Sequence, residues 1–162
     1  MERSRRVEIA KLVSSIILCQ LAGMTGRIFT KPAILSWYVS LKKPFFTPPD
    51  WVFVPVWIIL YTLMGLAAFL VWRKGCHQKR NRSALILFGG QLILNALWSF
   101  MFFGLRSPLA GLIEISILSV AILLTIQSFL QISRVAGLLL IPYFLWVAFA
   151  SGLNLSVWVL NR

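Results

Sequence analysis

The sequence contains few acidic residues and few of the side chains that carry hydrolytic or metal chemistry. Among 162 residues there are only 4 Asp and Glu, 1 His and 2 Cys. Paired carboxylates, a nucleophile beside a histidine, clustered metal ligands and a glycine-rich phosphate loop are all missing. We therefore predict no metal site, no required cofactor and no catalytic residue of these classes.

Charge is scarce in general, and apolar residues are abundant. Hydrophobic residues make up 59% of the chain and charged residues 12%, with a mean hydropathy of +0.86, against about 45–50% and about 25% in soluble domains. Because a bilayer core needs about 20 helical residues, the long uncharged segments predict an all-α membrane protein. It has a single domain, 1–162, with five transmembrane helices at about 8–27, 51–72, 84–105, 108–132 and 135–160.

The 16 Lys and Arg residues are divided unequally between the two ends of this predicted bundle. Ten fall on the side of the N-terminus and six on the other side. For a bacterial inner membrane, this asymmetry places the N-terminus in the cytoplasm. Membrane topology thus accounts for the net charge of +12, and we expect lipid rather than nucleic acid as a partner.

Only the connection between helices one and two, residues 27–50, is long. It is rich in proline and aromatic residues, which favours an ordered lid over a slack linker. Thr47 to Asp50 resemble a capping box with proline at the first helical position of helix two. Ser107 and Pro108 are typical of the start of helix four, and Pro142 should bend helix five.

Aromatic residues are the most distinctive feature, with 7 Trp, 3 Tyr and 12 Phe. Four tryptophans lie near predicted helix ends, where an interfacial belt explains them. The other three lie well inside the spans, at a depth where lipid-facing indoles have no evident role, and buried indole N–H groups need partners. These three are Trp57, Trp98 and Trp146.

Polar and aromatic neighbours recur at helical spacing around these tryptophans. Helix two carries a Trp and a Tyr at positions i and i+4. Helix three carries an Asn that is followed on the same face by two aromatic residues, and helix five carries a Trp that is followed on the same face by Ala and Leu. Such faces suit either interhelical hydrogen bonding or an aromatic pocket with one amide that orients a ligand, and spacing alone favours neither. The residues concerned are Trp57, Tyr61, Asn95, Trp98, Ser99, Phe102, Trp146, Ala150 and Leu153.

Several long motifs resemble the tryptophan-rich sensory protein (TspO/MBR) family, which includes the translocator protein. The longest is WYVSLKKPFFTPPDWVFVPVWIILYTLMG at 37–65. GMTGRIFT at 23–30, NALW at 95–98 and LIPYFLWVAFA at 140–150 also match. The resemblance spans all five predicted helices.

The resemblance implies a five-helix membrane bundle, commonly a homodimer, with a pocket under the lid. It implies a receptor, sensor or carrier for planar apolar molecules, with tetrapyrroles such as protoporphyrin IX first, and also benzodiazepine-site drugs and sterols. Leu155 replaces a tyrosine of the family's sterol stretch, which puts sterol binding in doubt. The positions that match pocket residues are Trp57, Asn95, Trp98, Trp146, Ala150 and Leu153, with Tyr38 and Pro48 from the lid.

Two alternative functions come with the same resemblance. One is light- and oxygen-dependent porphyrin degradation, for which Trp57 and Trp146 are the matching residues. The other is a ligand-responsive scaffold for other membrane proteins. Because the predicted pocket offers no histidine as an iron ligand, we expect a free-base porphyrin rather than a histidine-ligated haem.

A few residues outside the predicted pocket have two interpretations. Glu114 is an intramembrane carboxylate and so a candidate for proton or ligand contact, but we favour a structural role, paired with Arg106 or a lid lysine. The small residues Ala148, Gly152 and Ser156 should pack inside the bundle rather than in a dimer. The basic residues near the lid are either solvated or attract the carboxylates of a tetrapyrrole; they are Arg27, Lys31, Lys42 and Lys43.

Overall fold

The computed structural model describes residues 2–75 and 77–162, with the side chains of residues 2–4 left out. Seven α-helices follow one another in the described chain, and a π-helical turn, Phe100–Gly104, continues the fourth. The helices are α1 Glu2–Ile34, α2 Trp37–Ser40, α3 Asp50–Trp72, α4 Lys79–Ser99, α5 Pro108–Leu130, α6 Arg134–Leu138 and α7 Ile141–Leu160.

Five helical segments are long and apolar enough to span a membrane: α1, α3, α4 with its π turn, α5, and α6 with α7. Their outward faces are apolar, since Ile28, Ile93 and Ile113 are more than half exposed. A surface of this kind is stable against lipid and not against water. The five-span membrane bundle predicted from composition is thereby confirmed.

The interior of the bundle is filled where α5 lies between α4 and α7, while α1 packs against α3 and α4. Met64, Leu118, Phe129 and Tyr143 are almost completely buried. The α1–α3 contact is unusually close, because a Cβ atom on Gly65 would lie 2.6 Å from the Cα atom of Ile16. Only glycine permits this separation of the two helices.

Two predicted helix boundaries differ from the structure. Helix one is 33 residues long, about 50 Å at 1.5 Å per residue, and so extends beyond the predicted 8–27 at both ends. Helix five is divided into α6 and α7 by a turn at residues 139–140, so Pro142 lies in the first turn of α7, where proline is well tolerated. The chain therefore breaks before the proline instead of bending at it.

The helix starts confirm one predicted cap and contradict another. The Ser107 side chain accepts a hydrogen bond from the Ala110 N–H at 3.2 Å, with Pro108 in the first turn of α5. The predicted capping box is wrong, because α3 begins at Asp50 without a side-chain cap and the Thr47 hydroxyl donates instead to the carbonyl of Pro44. Both prolines thus precede the helix.

The small residues of α7 do not pack inside the bundle as expected. A Cβ atom on Gly152 would meet nothing within 4 Å, and Ala148 is also exposed. The ridge that they form faces outward, on the lipid side of the helix. The preference for packing within the bundle is therefore wrong.

Candidate ligand-binding site

A cavity of about 260 Å³ lies under the lid, between α1, α3, α4 and α7. It brings together ten of the eleven residues that the sequence predicted for a pocket, drawn from three spans and the lid. Pro48 is the exception, since it lies in the lid but does not line the cavity. The ten are Tyr38, Trp57, Tyr61, Asn95, Trp98, Ser99, Phe102, Trp146, Ala150 and Leu153.

A chain of hydrogen bonds starts from the polar part of the cavity wall and leads into the core. The Tyr61 hydroxyl donates to Asn95 Oδ1, and Asn95 Nδ2 donates to the Tyr143 hydroxyl at 3.0 Å. Tyr143 donates in turn to Gln91 Oε1 at 3.0 Å. Asn95 thus faces the bundle, as the cost of an unpaired amide in lipid requires. It also joins three helices, so both interpretations of this residue have structural support.

Two indoles, from α3 and α7, belong to the aromatic wall of the cavity. Trp57 stacks on Tyr61 with a centroid separation of 5.3 Å. Trp146 contacts Phe53 and Phe149, at 5.8 and 5.5 Å. Rings fixed by such contacts present flat apolar surfaces at little entropic cost. Both indoles line the cavity.

The third mid-membrane tryptophan has an internal partner. Trp98 stacks on Phe102 at 5.4 Å, and its Nε1 donates to Asn154 Oδ1 at 3.2 Å. Asn154 is buried, lines the cavity, and donates to the Pro108 carbonyl at 2.6 Å. The sequence reasoning did not select Asn154 for the site, although a second amide within a span was a usable signal.

The first span contributes a wall of which the sequence predicted only Arg27. Gln20 Nε2 donates to the Ile58 carbonyl at 3.0 Å and to the Thr62 hydroxyl at 3.1 Å, which joins α1 to α3. A Cβ atom on Gly23 would lie 2.2 Å from the Tyr61 ring. Glycine at this position therefore allows Tyr61 to reach Asn95. The α1 residues that line the cavity are Gln20, Gly23, Met24, Gly26, Arg27, Thr30 and Ile34.

The lid is attached to the bundle by aromatic contacts and by an asparagine side chain that makes two hydrogen bonds to the lid backbone. Tyr38 packs edge to face on Phe103 at 5.6 Å, and Lys43 Nζ lies 4.1 Å from the centroid of the Tyr38 ring. Burial, with the nearby Asp50 charge second, raises the pKa of the Tyr38 hydroxyl. Asn161 accepts from the Lys42 N–H and donates to the Lys42 carbonyl, both at 2.9 Å. This pair of bonds ties the lid to the end of α7.

The basic residues near the lid are not equivalent in the structure. Arg27 lines the cavity together with Asp50, whereas Lys31, Lys42 and Lys43 do not. The mouth of the cavity thus has one guanidinium and one carboxylate. Arg27 is the lid-side cation best placed to meet an anionic group on a ligand.

Glu114 is buried in α5 with 5% of its surface exposed, outside the cavity. Neither of its carboxylate oxygens has a hydrogen-bond partner in the described part of the chain. The expected pairing with Arg106 or a lid lysine is therefore wrong. Residues 2–75 and 77–162 contain no group of three or more His, Cys, Asp or Glu side chains that could hold a metal.

Comparison with known proteins identifies the family of this chain. The model of the TspO/MBR family matches residues 15–159. The tryptophan-rich protein TspO of Archaeoglobus fulgidus is 44% identical over 96% of this chain and 99% of its own length. The tryptophan-rich protein TspO of Chlorobaculum tepidum is 46% identical over 95% of this chain and 98% of its own length. The human translocator protein is 39% identical over 85% of this chain and 82% of its own length. The five-span bundle with its aromatic cavity therefore belongs to a member of the TspO/MBR family.

Proposed function

We propose that this chain is a membrane receptor that binds planar, apolar small molecules in the cavity, with tetrapyrroles such as protoporphyrin IX as the first candidates. The observation that carries the proposal is the placement of Trp57 and Trp146 on the wall of one cavity beside Asn95. Apolar walls with a few polar groups are the usual composition of small-molecule sites. The names of relatives, translocator protein and tryptophan-rich sensory protein, support a role in sensing or carrying a ligand.

The polar groups of the cavity are arranged so that they would orient such a ligand. Asn95 lies on the wall with one amide hydrogen directed to Tyr143, and an amide has two such donors. Arg27 lies at the mouth. The ring would insert between the indoles, and its carboxylates would remain beside the guanidinium.

The size of the cavity indicates how far a large ligand would enter. At about 260 Å³ the cavity lies just below the usual range of about 300–1,000 Å³ for ligand sites. A tetrapyrrole would therefore occupy the mouth as well, in contact with the lid. Lid movement would accompany binding and release, which gives a receptor a conformational signal.

The test is a titration of protoporphyrin IX into the detergent-solubilised protein in the dark, followed by tryptophan fluorescence. We expect saturable quenching in the wild type and its loss in the double variant Trp57→Phe/Trp146→Phe. The matched control is Trp51→Phe/Trp158→Phe, which removes two indoles that do not line the cavity. Equal quenching in all three proteins would contradict the assigned site.

Illumination of the same samples in air separates binding from chemistry. Unchanged porphyrin would support a receptor or carrier. A new absorbing product that needs light, dioxygen and the two cavity tryptophans would instead identify a porphyrin-degrading enzyme. Transfer of intact porphyrin between vesicles would favour a carrier over a receptor.

A further inference from the structure

A basic recess of about 390 Å³ lies at the end of the bundle away from the lid. It is formed where the connection between α3 and α4 meets the C-terminal end of α5. The salt bridge from Arg73 to Glu8, at 3.7 Å, places the start of α1 at the same end. The recess is lined by Lys74, Gln78, Arg80, Asn81, Gln131 and Ile132.

A tryptophan at the end of α3 indicates how deep in the membrane the recess is expected to lie. Lys11 Nζ lies 5.7 Å from the centroid of the Trp72 ring. Indoles at the ends of spans sit at the level of lipid headgroups, and lysine side chains extend toward the same level. Lys74 follows two residues later, so we expect the recess to lie near the level of the phosphates.

Two cations in the recess are held in position by backbone carbonyl groups. Lys74 Nζ donates to the Ile132 carbonyl, and Arg80 Nη2 donates to the Gln131 carbonyl. These bonds stabilise the C-terminal end of α5, where carbonyls lack helical partners. An ammonium has three donors and a guanidinium five, so both side chains keep donors for another acceptor.

No described residue that lines the recess is acidic. Of the four acidic residues in the sequence, Glu8 pairs with Arg73, and Asp50 lies at the lid cavity. Lys79, Arg82 and Arg134 follow the lining residues closely in sequence and add to the positive charge. The recess is therefore complementary to an anion.

We propose that the basic recess binds the phosphate of an anionic glycerophospholipid. A lipid is favoured over a soluble anion because apolar side chains beside the recess, Leu130 and Val135, are exposed at 39% and 58%. Both lie close in sequence to the lining residues Gln131 and Ile132, and an exposed apolar surface there suits the acyl chains of a lipid. Basic pockets between transmembrane helices are a known setting for anionic headgroups. The proposal is independent of what the lid cavity binds.

The test is native mass spectrometry of the full chain in detergent, titrated with phosphatidylglycerol or with phosphatidylcholine of equal chain length. We expect tighter binding of phosphatidylglycerol. Gln78→Glu adds one negative charge to the recess and leaves both carbonyl contacts in place. It should weaken phosphatidylglycerol binding about fivefold, since each charge near an anionic headgroup has an effect of this size, and leave phosphatidylcholine binding unchanged.

Lys74→Gln provides a second variant with the same expected loss, and Arg162→Gln is the control. Arg162 lies over Trp158 at the lid end, so its replacement should not change lipid binding. Thermal unfolding of each variant verifies that it is folded. The proposal is overturned if both recess variants bind phosphatidylglycerol as the wild type does. It is also overturned if the two lipids bind equally, or if millimolar inorganic phosphate displaces phosphatidylglycerol.

Discussion

At the scale of single residues, the hydrogen-bond chain through Tyr61, Asn95 and Tyr143 links the cavity wall to the core. The three bonds run in one direction, from the Tyr61 hydroxyl through Asn95 and Tyr143 to Gln91. Hydrogen bonds arranged in one direction polarise one another. The Tyr61 oxygen can also accept a hydrogen bond, so a ligand that donates to it would strengthen the whole chain.

Removal of the Tyr61 hydroxyl tests this chain. We expect Tyr61→Phe to lower the free energy of unfolding by about 1 kcal/mol, a typical value for interhelical hydrogen bonds in membranes. Thermal unfolding in detergent measures the loss. Tyr38→Phe is the control, because the Tyr38 hydroxyl has no hydrogen bond to any described residue, and it should unfold within about 0.5 kcal/mol of the wild type.

The lid tyrosine gives a pH dependence with a definite sign. The pKa of Tyr38 is raised in the folded protein by burial and by Asp50, whereas in the unfolded chain it is near 10. Above pH 10 the unfolded state loses this proton first, so the contribution to stability is present below pH 10 and is lost as the pH rises further. Thermal melts between pH 8 and 11 should fall less steeply for Tyr38→Phe than for the wild type. Parallel curves would contradict this assignment.

At the scale of secondary-structure elements, the seam between α1 and α3 depends on glycine. A Cβ atom on Gly23 would lie 2.2, 2.7 and 2.8 Å from three atoms of the Tyr61 ring. The ring cannot move away freely, because its hydroxyl is bonded to Asn95 and its face is stacked on Trp57. The seam and the cavity wall therefore share one packing constraint.

Gly23→Ala is expected to destabilise the protein by about 1–3 kcal/mol, as overpacking of a filled core does, and to weaken ligand binding. Gly152→Ala makes the same chemical change on α7 where the added methyl group meets nothing within 4 Å. It should be neutral or stabilising by up to about 1 kcal/mol, since alanine has the higher helix propensity. Equal effects of the two changes on the melting temperature would show that the seam is not tightly packed.

The attachment of the lid to α7 gives a kinetic prediction. Asn161→Ala removes both bonds to the Lys42 backbone, each of which stabilises the closed lid by about 1 kcal/mol. We expect porphyrin release to accelerate about thirtyfold in stopped-flow fluorescence, as a combined loss of about 2 kcal/mol implies. Ser40→Ala removes a hydrogen bond within α2, from the Ser40 hydroxyl to the Trp37 carbonyl, and should leave release unchanged.

At the scale of the whole molecule, five spans place the two termini on opposite sides of the membrane. The distribution of Lys and Arg predicts that the N-terminus is cytoplasmic in a bacterial inner membrane. With Cys76, which lies outside the described residues, replaced by Ser, Arg162→Cys should react with a membrane-impermeant maleimide in intact cells. In the same background, a cysteine near the N-terminus, introduced by Ser4→Cys, should react only after the cells are lysed. Labelling of Ser4→Cys in intact cells would reverse the assigned orientation.

The sequence predicted the spans and most of the cavity because lipid imposes simple rules. Long uncharged segments must be helical, and polar or aromatic residues within them must face the bundle, which identified Trp57, Asn95 and Trp146. It could not predict the π-helical turn at Phe100–Gly104 or the break before α7. Both depend on packing between helices, and hydropathy changes little across either of them.

Most of the α1 residues that line the cavity were not predicted, for a different reason. Gly23 and Gly26 contribute space rather than a functional group, and a glycine has no side chain whose chemistry suggests a ligand. Pro48 was assigned to the cavity through resemblance, and it lies elsewhere in the lid. That a homodimer forms stays a prediction.

The tether at Asn161 has a practical consequence for the way this protein is prepared. A purification tag or fluorescent protein fused after Arg162 would begin one residue from the side chain that fastens the lid. Such a fusion should change the rates at which a ligand enters and leaves the cavity. Binding rates from C-terminally tagged material should therefore be compared with those from N-terminally tagged material before they are attributed to the native gate.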